Sequence, residues 1–285
     1  MSEPPLFDGS AVSADGTRIA YHSLGSGPGL VVVGGVLSNG TGYLPLARAL
    51  AGAFEVHLME RRGRPGSGPQ RGDHGIEDEC SDLAAVVSAT GSKLVFGHSF
   101  GALVVLETAR RTSPFDEIFL YDPGVPLAGG LHAAWADEYQ RRLERGDRRG
   151  AFAWMAKAAG FAPAPIRMLP LWCVKLMLRM GLRGEKWTAM DRLLEANLRE
   201  QRILAALDSP DASRFATISA PTLVLAGEKD PDLFKRQILG ALDRALPNSA
   251  PAVLPGLGHL APEGRPGPIA AAILRRHDDL RAAPR

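Results

Sequence analysis

In the first part of the chain, short apolar runs alternate with longer stretches whose apolar positions recur at helical spacing. The short runs are rich in β-branched residues and predict buried strands at 30–35, 55–59, 93–96 and 117–121. The longer stretches predict helices at 44–51, 76–90 and 100–111. Because strands and helices alternate at this spacing, we expect an α/β fold with a mostly parallel, doubly wound sheet.

Two further patterns extend the predicted sheet at its beginning and its end. The stretches SAVSA and TRIAYHSL flank Asp15-Gly16, a dipeptide that favours the turn of an antiparallel hairpin. The alternation of strands and helices stops near Val125 and resumes with PTLVLAG at Pro221, and a strand-like stretch follows at Ala252–Leu254. The residues in between have helical patterns, so the sheet is interrupted by a long helical insertion.

The helical insertion differs in composition from the rest of the chain. We predict that it forms a cap, or lid, of residues 125–215 between the sixth and seventh strands of a core made of residues 1–124 and 216–285. It contains all four tryptophans and five of the seven methionines, and it has 15 basic against 10 acidic side chains. Such apolar side chains suit the pocket of a bulky, apolar substrate, but they can equally form the cap's own core.

The stretch Ile166–Leu182 within the cap is apolar enough to require comparison with a membrane span. Pro170, Lys175 and Arg179 interrupt it, so its apolar runs are shorter than the ~20 residues that cross a bilayer. Lys175, Arg179 and Arg183 are spaced four apart and therefore share one face of a helix. We expect an amphipathic helix packed on the domain, with a peripheral membrane contact as the alternative and no stable membrane insertion.

Charge, cysteine content and short motifs limit the classes of partner. The formal net charge of +2 is too small to indicate a nucleic acid. Cys80 and Cys173 form no CxxC pair, which excludes a disulfide scaffold and a cysteine-built zinc site. The first ten residues lack the basic and apolar regions of a signal peptide. We expect a cytoplasmic protein with a small-molecule substrate and no metal or cofactor, and we leave a homodimer open.

The strongest local signal is LVFGHSFGALVVLETA, Leu94 to Ala109. A buried strand leads into Gly97-His98-Ser99-Phe100-Gly101, and an apolar helix begins at once, which is the G-x-S-x-G pattern in a strand–turn–helix context. The sharp turn projects the serine hydroxyl, and the glycines avoid collisions with the neighbouring backbone. The helix directs its first N–H groups toward the site, where they favour negative charge. Ser99 is therefore the candidate nucleophile.

A serine hydroxyl needs a neighbouring base to take its proton, and the candidate base is His259 in LPGLGHLAPEG. It lies in a loop after the last predicted strand, from which a side chain can extend over the edge of the sheet. The other six histidines have less suitable positions. Among them, His98 adjoins the serine and is expected to point elsewhere.

A carboxylate is expected to orient this histidine and to stabilise its positive charge. Asp230 is favoured, because PTLVLAGEKD places it just past the end of a strand. Asp122, in FLYDPG at the end of the preceding strand, is the alternative acid, and Asp232 is a weaker third.

With Ser99, Asp230 and His259 in the order nucleophile, acid and base, the chain resembles the α/β-hydrolase superfamily, in its capped serine hydrolase or esterase type. The resemblance covers nearly the whole chain, including the insertion. It implies an oxyanion hole formed by the backbone N–H groups of Phe100, after the nucleophile, and of Val36, in the loop after the third strand.

The resemblance also extends to the stretch ERRGRPGS at 60–67. It is similar to the D-R-R-G-x-G-x-S loop of the family, with Glu60 for Asp and Pro65 where glycine is usual. We interpret this loop as structural.

The resemblance implies hydrolysis of a carboxylic ester, or of a related acyl bond such as a lactone or thioester, through an acyl-enzyme. A serine at position 99 argues against the epoxide hydrolases and haloalkane dehalogenases of this fold, which use an aspartate there. Two alternatives stay open. The same scaffold can carry cofactor-independent haloperoxidase-like, C–C hydrolase or cyclase chemistry, or the chain can be a non-catalytic protein that binds a small molecule.

Overall fold

The computed structural model describes residues 7–127, 135–158, 164–207, 209–229 and 237–282. The chain divides into two compact units, one of Met1–Val125 and Asp211–Arg285 and the other of Pro126–Pro210. The first unit contains a β-sheet with its flanking helices, and the second is helical. In sequence, the helical unit is inserted between two strands that are neighbours in the sheet.

The strands of the described residues form one sheet. They are β1 (Phe7–Val12), β2 (Arg18–Gly25), β3 (Gly29–Val33), β4 (Glu55–Met59), β5 (Leu94–His98), β6 (Glu117–Tyr121), β7 (Thr222–Gly227) and β8 (Ser249–Leu254). Their order across the sheet is β1-β2-β4-β3-β5-β6-β7-β8. β2 is antiparallel to β1 and β4, and the neighbouring pairs from β4 to β8 are parallel. The predicted mostly parallel α/β sheet is therefore confirmed.

The helices follow in chain order. They are α1 (Leu44–Leu50), α2 (Ile76–Thr90), α3 (Phe100–Thr112), α4 (Ala136–Glu144), α5 (Arg148–Ala158), α6 (Ala164–Met168), α7 (Leu171–Gly181), α8 (Gly184–Asp191), α9 (Leu194–Ala206), α10 (Leu239–Ala245), α11 (Ala261–Gly264) and α12 (Gly267–Ala282). α4 to α9 belong to the helical unit, and the others belong to the unit that contains the sheet.

The central strands are buried on both faces, which explains their continuous apolar runs. β5 is buried along its whole length, and α3 packs against it. Leu30, Val32, Phe96 and Phe119 belong to one core cluster with residues of α1 and α12. Because β3, β5, β6 and β7 are parallel, the loops after them all begin at the same edge of the sheet.

The front of the chain forms the predicted hairpin around Asp15-Gly16. Val12 pairs with Arg18, and the φ of Gly16 is 84°, which glycine adopts without strain. Arg62, in the loop after β4, donates hydrogen bonds to the carboxylates of both Asp15 and Asp82. Since Asp82 lies on α2, an ion-pair network centred on the buried Arg62 side chain connects the hairpin turn to this helix.

Within the helical unit, α5 packs against α4 and α7, and α9 packs against α4. Tyr139 of α4 is fully buried. Its hydroxyl donates to the carbonyl oxygen of Leu194 at 3.0 Å and accepts from Asn197 Nδ2 at 3.2 Å. These bonds fix α4 to α9.

The prediction of one helix over Ile166–Leu182 was wrong. α6 ends at Met168, and α7 begins at Leu171 with Pro170 as its N-cap. Proline lacks the N–H that a continuing helix needs and disfavours helical geometry at the residue before it. Among the helices of the described residues, none combines the length and hydropathy required to cross a membrane.

Candidate active site

Ser99 lies on the sharp turn between β5 and α3. Its φ of 54° and ψ of −120° are outside the regions that side-chain-bearing residues usually adopt, so the turn holds a strained conformation. Two backbone bonds fix it: Ser99 N–H donates to the Tyr121 carbonyl oxygen at 3.1 Å, and Gly124 N–H donates to the Ser99 carbonyl oxygen at 2.9 Å. The hydroxyl is thereby held at the edge of the sheet.

The two glycines of the motif permit close backbone packing. A Cβ atom on Gly101 would collide with the carbonyl oxygen of Val33 and lie 2.7 Å from that of Gly34. A Cβ atom on Gly97 would lie 2.6 Å from Ala102 Cα. The turn can therefore approach β3 and the start of α3 only because both positions lack side chains.

His259 approaches Ser99 from the loop after β8, as the sequence predicts. Its Nε2 lies 3.1 Å from Ser99 Oγ, and its side chain is only 21% exposed. The Tyr121 hydroxyl donates to the carbonyl oxygen of Gly258 at 3.0 Å, which fixes the backbone just before the histidine. The imidazole is thus positioned to accept the hydroxyl proton.

The carboxylate at the other ring nitrogen belongs to Asp122, the alternative acid of the sequence prediction. Its Oδ2 lies 3.2 Å from His259 Nδ1, and its Oδ1 accepts the N–H of Gly227 at 3.0 Å. Asp122 follows β6 with a φ of 42°, and its side chain is fully buried. Asp230 and Asp232 lie outside the described residues.

The loop after β3 lies beside Ser99. A Cβ atom on Gly35 would be 3.1 Å from Ser99 Cβ, so the backbone that leads into Val36 passes directly next to this side chain. Phe100 is the first residue of α3, and no helical carbonyl precedes it to accept its N–H group. Phe100 and Gly35, the residue before Val36, both adjoin Ser99, and the role of the Val36 and Phe100 N–H groups as donors to a developing oxyanion stays a prediction.

Tyr43 and His98 connect this loop to the catalytic histidine candidate. The Tyr43 hydroxyl accepts the N–H of Gly35 at 2.9 Å and lies 2.7 Å from His98 Nδ1. Burial raises the pKa of Tyr43, so its phenol stays protonated and can donate to His98. Burial also lowers the pKa of His98 well below its usual range, and the nearby His259 lowers it further. His98 is therefore neutral at physiological pH.

The expectation that His98 points away from the site was wrong. Its ring centroid lies 4.8 Å from that of His259, with the two planes inclined at 49°. The hydrogen bond to Tyr43 fixes the neutral His98 ring, and this ring packs against the His259 imidazole. A series of contacts through Tyr43 and His98 thus connects Gly35 to His259.

Arg61, in the loop after β4, also binds the loop after β3. Its Nε donates to the carbonyl oxygen of Gly34 at 3.0 Å, and its Nη2 donates to that of Gly35 at 2.8 Å. Its guanidinium carbon lies 4.9 Å from the centre of the Phe100 ring. Arg61 thus contacts Phe100, one predicted oxyanion donor, and Gly35, the residue before the other.

The charge of Arg61 is balanced by a buried carboxylate. Its Nη1 donates to Glu79 Oε1 at 2.9 Å, and Glu79 on α2 also accepts from His74 Nε2 at 3.0 Å. Burial by itself raises the pKa of Glu79, but the Arg61 charge and the His74 hydrogen bond outweigh it and hold the pKa at about 2. Glu79 is therefore ionised and pairs with Arg61 at physiological pH.

Sequence reasoning missed the positions of Tyr43, His98 and Arg61 around the site. The ERRG stretch gave a usable signal, because a buried arginine side chain needs acceptors for its fork of donors. The sequence around Tyr43 gave no such indication, since single tyrosines are common in hydrophobic cores. Within the described ranges, no group of three histidine, cysteine, aspartate or glutamate side chains is arranged to hold a metal ion.

Comparison with known proteins assigns the chain to a family. The model of the alpha/beta hydrolase family matches residues 30–272, which is most of the chain. The solved structure of an alpha/beta hydrolase from Sphaerobacter thermophilus superposes with a TM-score of 0.78 at 29% sequence identity, covering 94% of this chain and 99% of that one.

Two proteins of similar sequence have names that state their activities. N-formylmaleamate deformylase of Pseudomonas putida is 32% identical over 127 residues, which are 42% of this chain and 46% of that protein. Pimeloyl-[acyl-carrier protein] methyl ester esterase of Xanthomonas campestris is 25% identical over 256 residues, 88% of this chain and 96% of that protein. These relatives and the family model support a hydrolase activity, and the chain belongs to the alpha/beta hydrolase family.

Proposed function

We propose that the chain is a serine hydrolase that cleaves a carboxylic ester, or a related acyl bond, of a small molecule through an acyl-enzyme. The observation that carries this proposal is the continuous contact from Ser99 Oγ to His259 Nε2, at 3.1 Å, and from His259 Nδ1 to Asp122 Oδ2, at 3.2 Å. A nucleophile, a base and an orienting carboxylate in series are what activation of a serine hydroxyl requires.

In the first half of the proposed reaction, Ser99 Oγ attacks the carbonyl carbon of the substrate, and its proton passes to His259 Nε2. The Asp122 carboxylate accepts the Nδ1–H bond and stabilises the imidazolium. The negative charge that forms on the carbonyl oxygen is held by the N–H groups of Val36 and Phe100. Collapse of this intermediate breaks the bond to the leaving group, which takes the proton from His259.

In the second half, a water molecule repeats the same steps on the acyl-enzyme. His259 takes a proton from the water as its oxygen attacks the acyl carbon, and the same two N–H groups hold the oxyanion. Breaking the bond to Ser99 Oγ returns the proton to the serine and releases the carboxylic acid. The atoms of the two half-reactions balance with this chain, the substrate and water alone.

The substrate class is proposed from the chemistry that the relatives share. The name of one relative specifies a methyl ester and that of the other a formyl group on nitrogen, so each presents an acyl carbon with an oxygen or nitrogen leaving group. A serine attack with proton return by histidine accommodates both leaving groups. Small acyl esters are therefore the first substrates to test, with lactones, thioesters and N-formyl compounds beside them.

Labelling with a fluorophosphonate probe tests whether Ser99 is activated, and a panel of these substrates tests the reaction. We expect labelling at Ser99 and ester turnover, both lost in Ser99→Ala, with a fall in kcat of about 10⁴-fold or more. An unlabelled serine would support a binding protein instead. Labelling without turnover of any ester, lactone, thioester or N-formyl compound in the panel would favour the C–C hydrolase, haloperoxidase-like or cyclase alternatives. Undiminished turnover by Ser99→Ala would reject the assignment of the nucleophile.

A further inference from the structure

The helical unit exposes an apolar face on α7 and at the end of α6. The side chains of this face, which we call the α7 face, are large, apolar and between 43% and 88% exposed; they are Met168, Trp172, Leu176, Met177 and Met180. Exposed apolar side chains are ordinary when scattered singly, but a group such as this one, with four of its five members on the single helix α7, marks an interaction surface.

Helical geometry makes this face continuous and directs it outward. Trp172, Leu176 and Met180 are four residues apart, so each is displaced by only about 40° around the helix from the one before. Val174 is the one residue of α7 that is buried, and it lies about 160° around the helix from Leu176. α7 therefore attaches to its unit through the Val174 side and presents the opposite, apolar side to its surroundings.

A basic flank accompanies the apolar face. Residues 164–184 include Arg167, Lys175, Arg179 and Arg183 but no aspartate or glutamate. Lys175 is paired with Asp147 at 2.6 Å, whereas the Arg167, Arg179 and Arg183 residues are exposed. On α7, Lys175 and Arg179 lie between the buried side and the apolar face. The face thus combines large apolar groups with Arg167, Arg179 and Arg183, none of which forms an ion pair with another residue in the part of the chain that the structure describes.

We propose that the α7 face docks the protein on an anionic lipid surface. In this arrangement Trp172, Leu176 and Met180 enter the boundary between headgroups and acyl chains, and the Arg179 and Arg183 guanidinium groups lie among the lipid phosphates. α7 has 11 residues and is about 16 Å long, so it lies in the interface and does not cross the bilayer.

Charge argues against a second copy of this chain as the occupant. A symmetric dimer through the α7 face would place two copies of the same basic flank next to each other, with no acidic side chain between residues 164 and 184 to compensate them. A lipid surface with negative headgroups supplies both the apolar layer and the opposite charge. The proposal is independent of the proposed esterase chemistry, because docking does not require the Ser99 site.

Vesicle co-sedimentation of the full chain tests the proposal. The Ser99→Ala protein is used so that no lipid is hydrolysed, with vesicles of phosphatidylcholine alone and of phosphatidylcholine mixed with phosphatidylglycerol. We expect binding to the mixed vesicles that weakens with salt, and little binding to phosphatidylcholine alone. Arg179→Gln and Arg183→Gln should each reduce the partition coefficient about fivefold, and Trp172→Ser with Met180→Ser should abolish sedimentation.

A matched control separates the α7 face from general effects. Val12 is 70% exposed on β1, and Arg145 is exposed after α4, so Val12→Ser with Arg145→Gln should retain the binding of the parent protein. All variants change exposed side chains and should keep the thermal midpoint of the parent. Absence of binding to the mixed vesicles, or equal binding by the α7 variants, would overturn the proposal. So would a dimer, seen by sedimentation velocity, that the α7 variants dissociate.

Discussion

The Asp122 carboxylate and the His259 imidazole are hydrogen bonded at 3.2 Å although 137 positions separate them in the chain. The other oxygen of the same carboxylate accepts the N–H of Gly227, the last residue of β7. This carboxylate thus follows β6 and is oriented by the neighbouring strand. Its geometry is that of a group which selects one tautomer of the histidine and one orientation of its ring.

We expect Asp122→Asn to lower kcat on a test ester by about 10³- to 10⁴-fold, because an amide in this place can favour the wrong histidine tautomer. Its KM should change little, since substrate binding does not need the carboxylate. Asp230→Asn, which changes the other candidate acid, is the control and should keep kcat within a few-fold of the parent. If Asp230→Asn instead loses activity while Asp122→Asn retains it, the acid role belongs to Asp230.

A second prediction concerns the Tyr43 hydroxyl, which joins Gly35 to His98. Tyr43→Phe leaves the Gly35 N–H and His98 Nδ1 without their buried partner, so we expect the free energy of unfolding to fall by about 1–3 kcal/mol. Because Gly35 precedes the Val36 donor, we also expect kcat to fall by about 10- to 100-fold.

Tyr139→Phe is the matched control for Tyr43→Phe. Its hydroxyl is equally buried and also has one donor and one acceptor partner, but both lie in the helical unit. It should lose a similar free energy of unfolding in urea titrations and retain kcat at a temperature where the protein is folded. A loss of kcat of equal size in both variants would mean that the Tyr43 effect is general destabilisation.

A third prediction follows from the packing of the nucleophile turn against β3. Gly101→Ala places a methyl group against the carbonyl oxygens of Val33 and Gly34, so we expect a loss of about 3 kcal/mol or more in the free energy of unfolding. Gly52→Ala is the control, because a Cβ atom there meets no atom within 4 Å. Equal thermal midpoints for the two variants would contradict the close packing described for Gly101.

The strands and the nucleophile turn were predictable because their signals are local. β4, α2 and β6 begin and end where the apolar pattern predicts, since burial on both faces of the sheet requires continuous apolar runs. The Ser99 turn was predictable for a similar reason: the glycines that permit its close packing are adjacent to it in the sequence. Pro170, in contrast, is a local signal for a break between α6 and α7 that the helical pattern around it obscured.

The carboxylate that contacts His259 could not be identified from the sequence, because β6 and β7 are parallel neighbours. Carboxylates just past either strand lie at the same edge of the sheet. The geometry of the loops decides which carboxylate contacts His259, and no local sequence pattern predicts that geometry. The role of Arg61 was hidden for a related reason. Its partners Gly34 and Glu79 are distant in sequence and become neighbours only when β3, β4 and α2 pack together.

The Arg61–Glu79 pair gives a prediction with a defined dependence on pH. The pKa of Glu79 is about 2 in the folded chain, against 4.5 for an ordinary glutamate. A carboxyl group with a lowered folded pKa stabilises the fold fully above its unfolded pKa, and this contribution is lost as the pH falls through the folded value. We therefore expect the free energy of unfolding of the parent protein to decrease as the pH is lowered from about 4.5 toward 2.

Glu79→Gln should be less stable than the parent by about 3–5 kcal/mol at neutral pH, because it leaves the buried Arg61 charge without its counterion. The difference in free energy of unfolding between the two proteins should become smaller as the pH falls below about 4.5. Protonation of Glu79 then removes the ion-pair stabilisation from the parent, whereas the glutamine of the variant does not titrate. Urea unfolding of both proteins over a series of pH values measures the difference directly. Asp73→Asn is the control, because the Asp73 side chain is 80% exposed and its contact with Arg71 is a surface pair of little energetic value. A deficit of Glu79→Gln that stays constant across the acidic range would show that packing, and not the charge on Glu79, accounts for its effect.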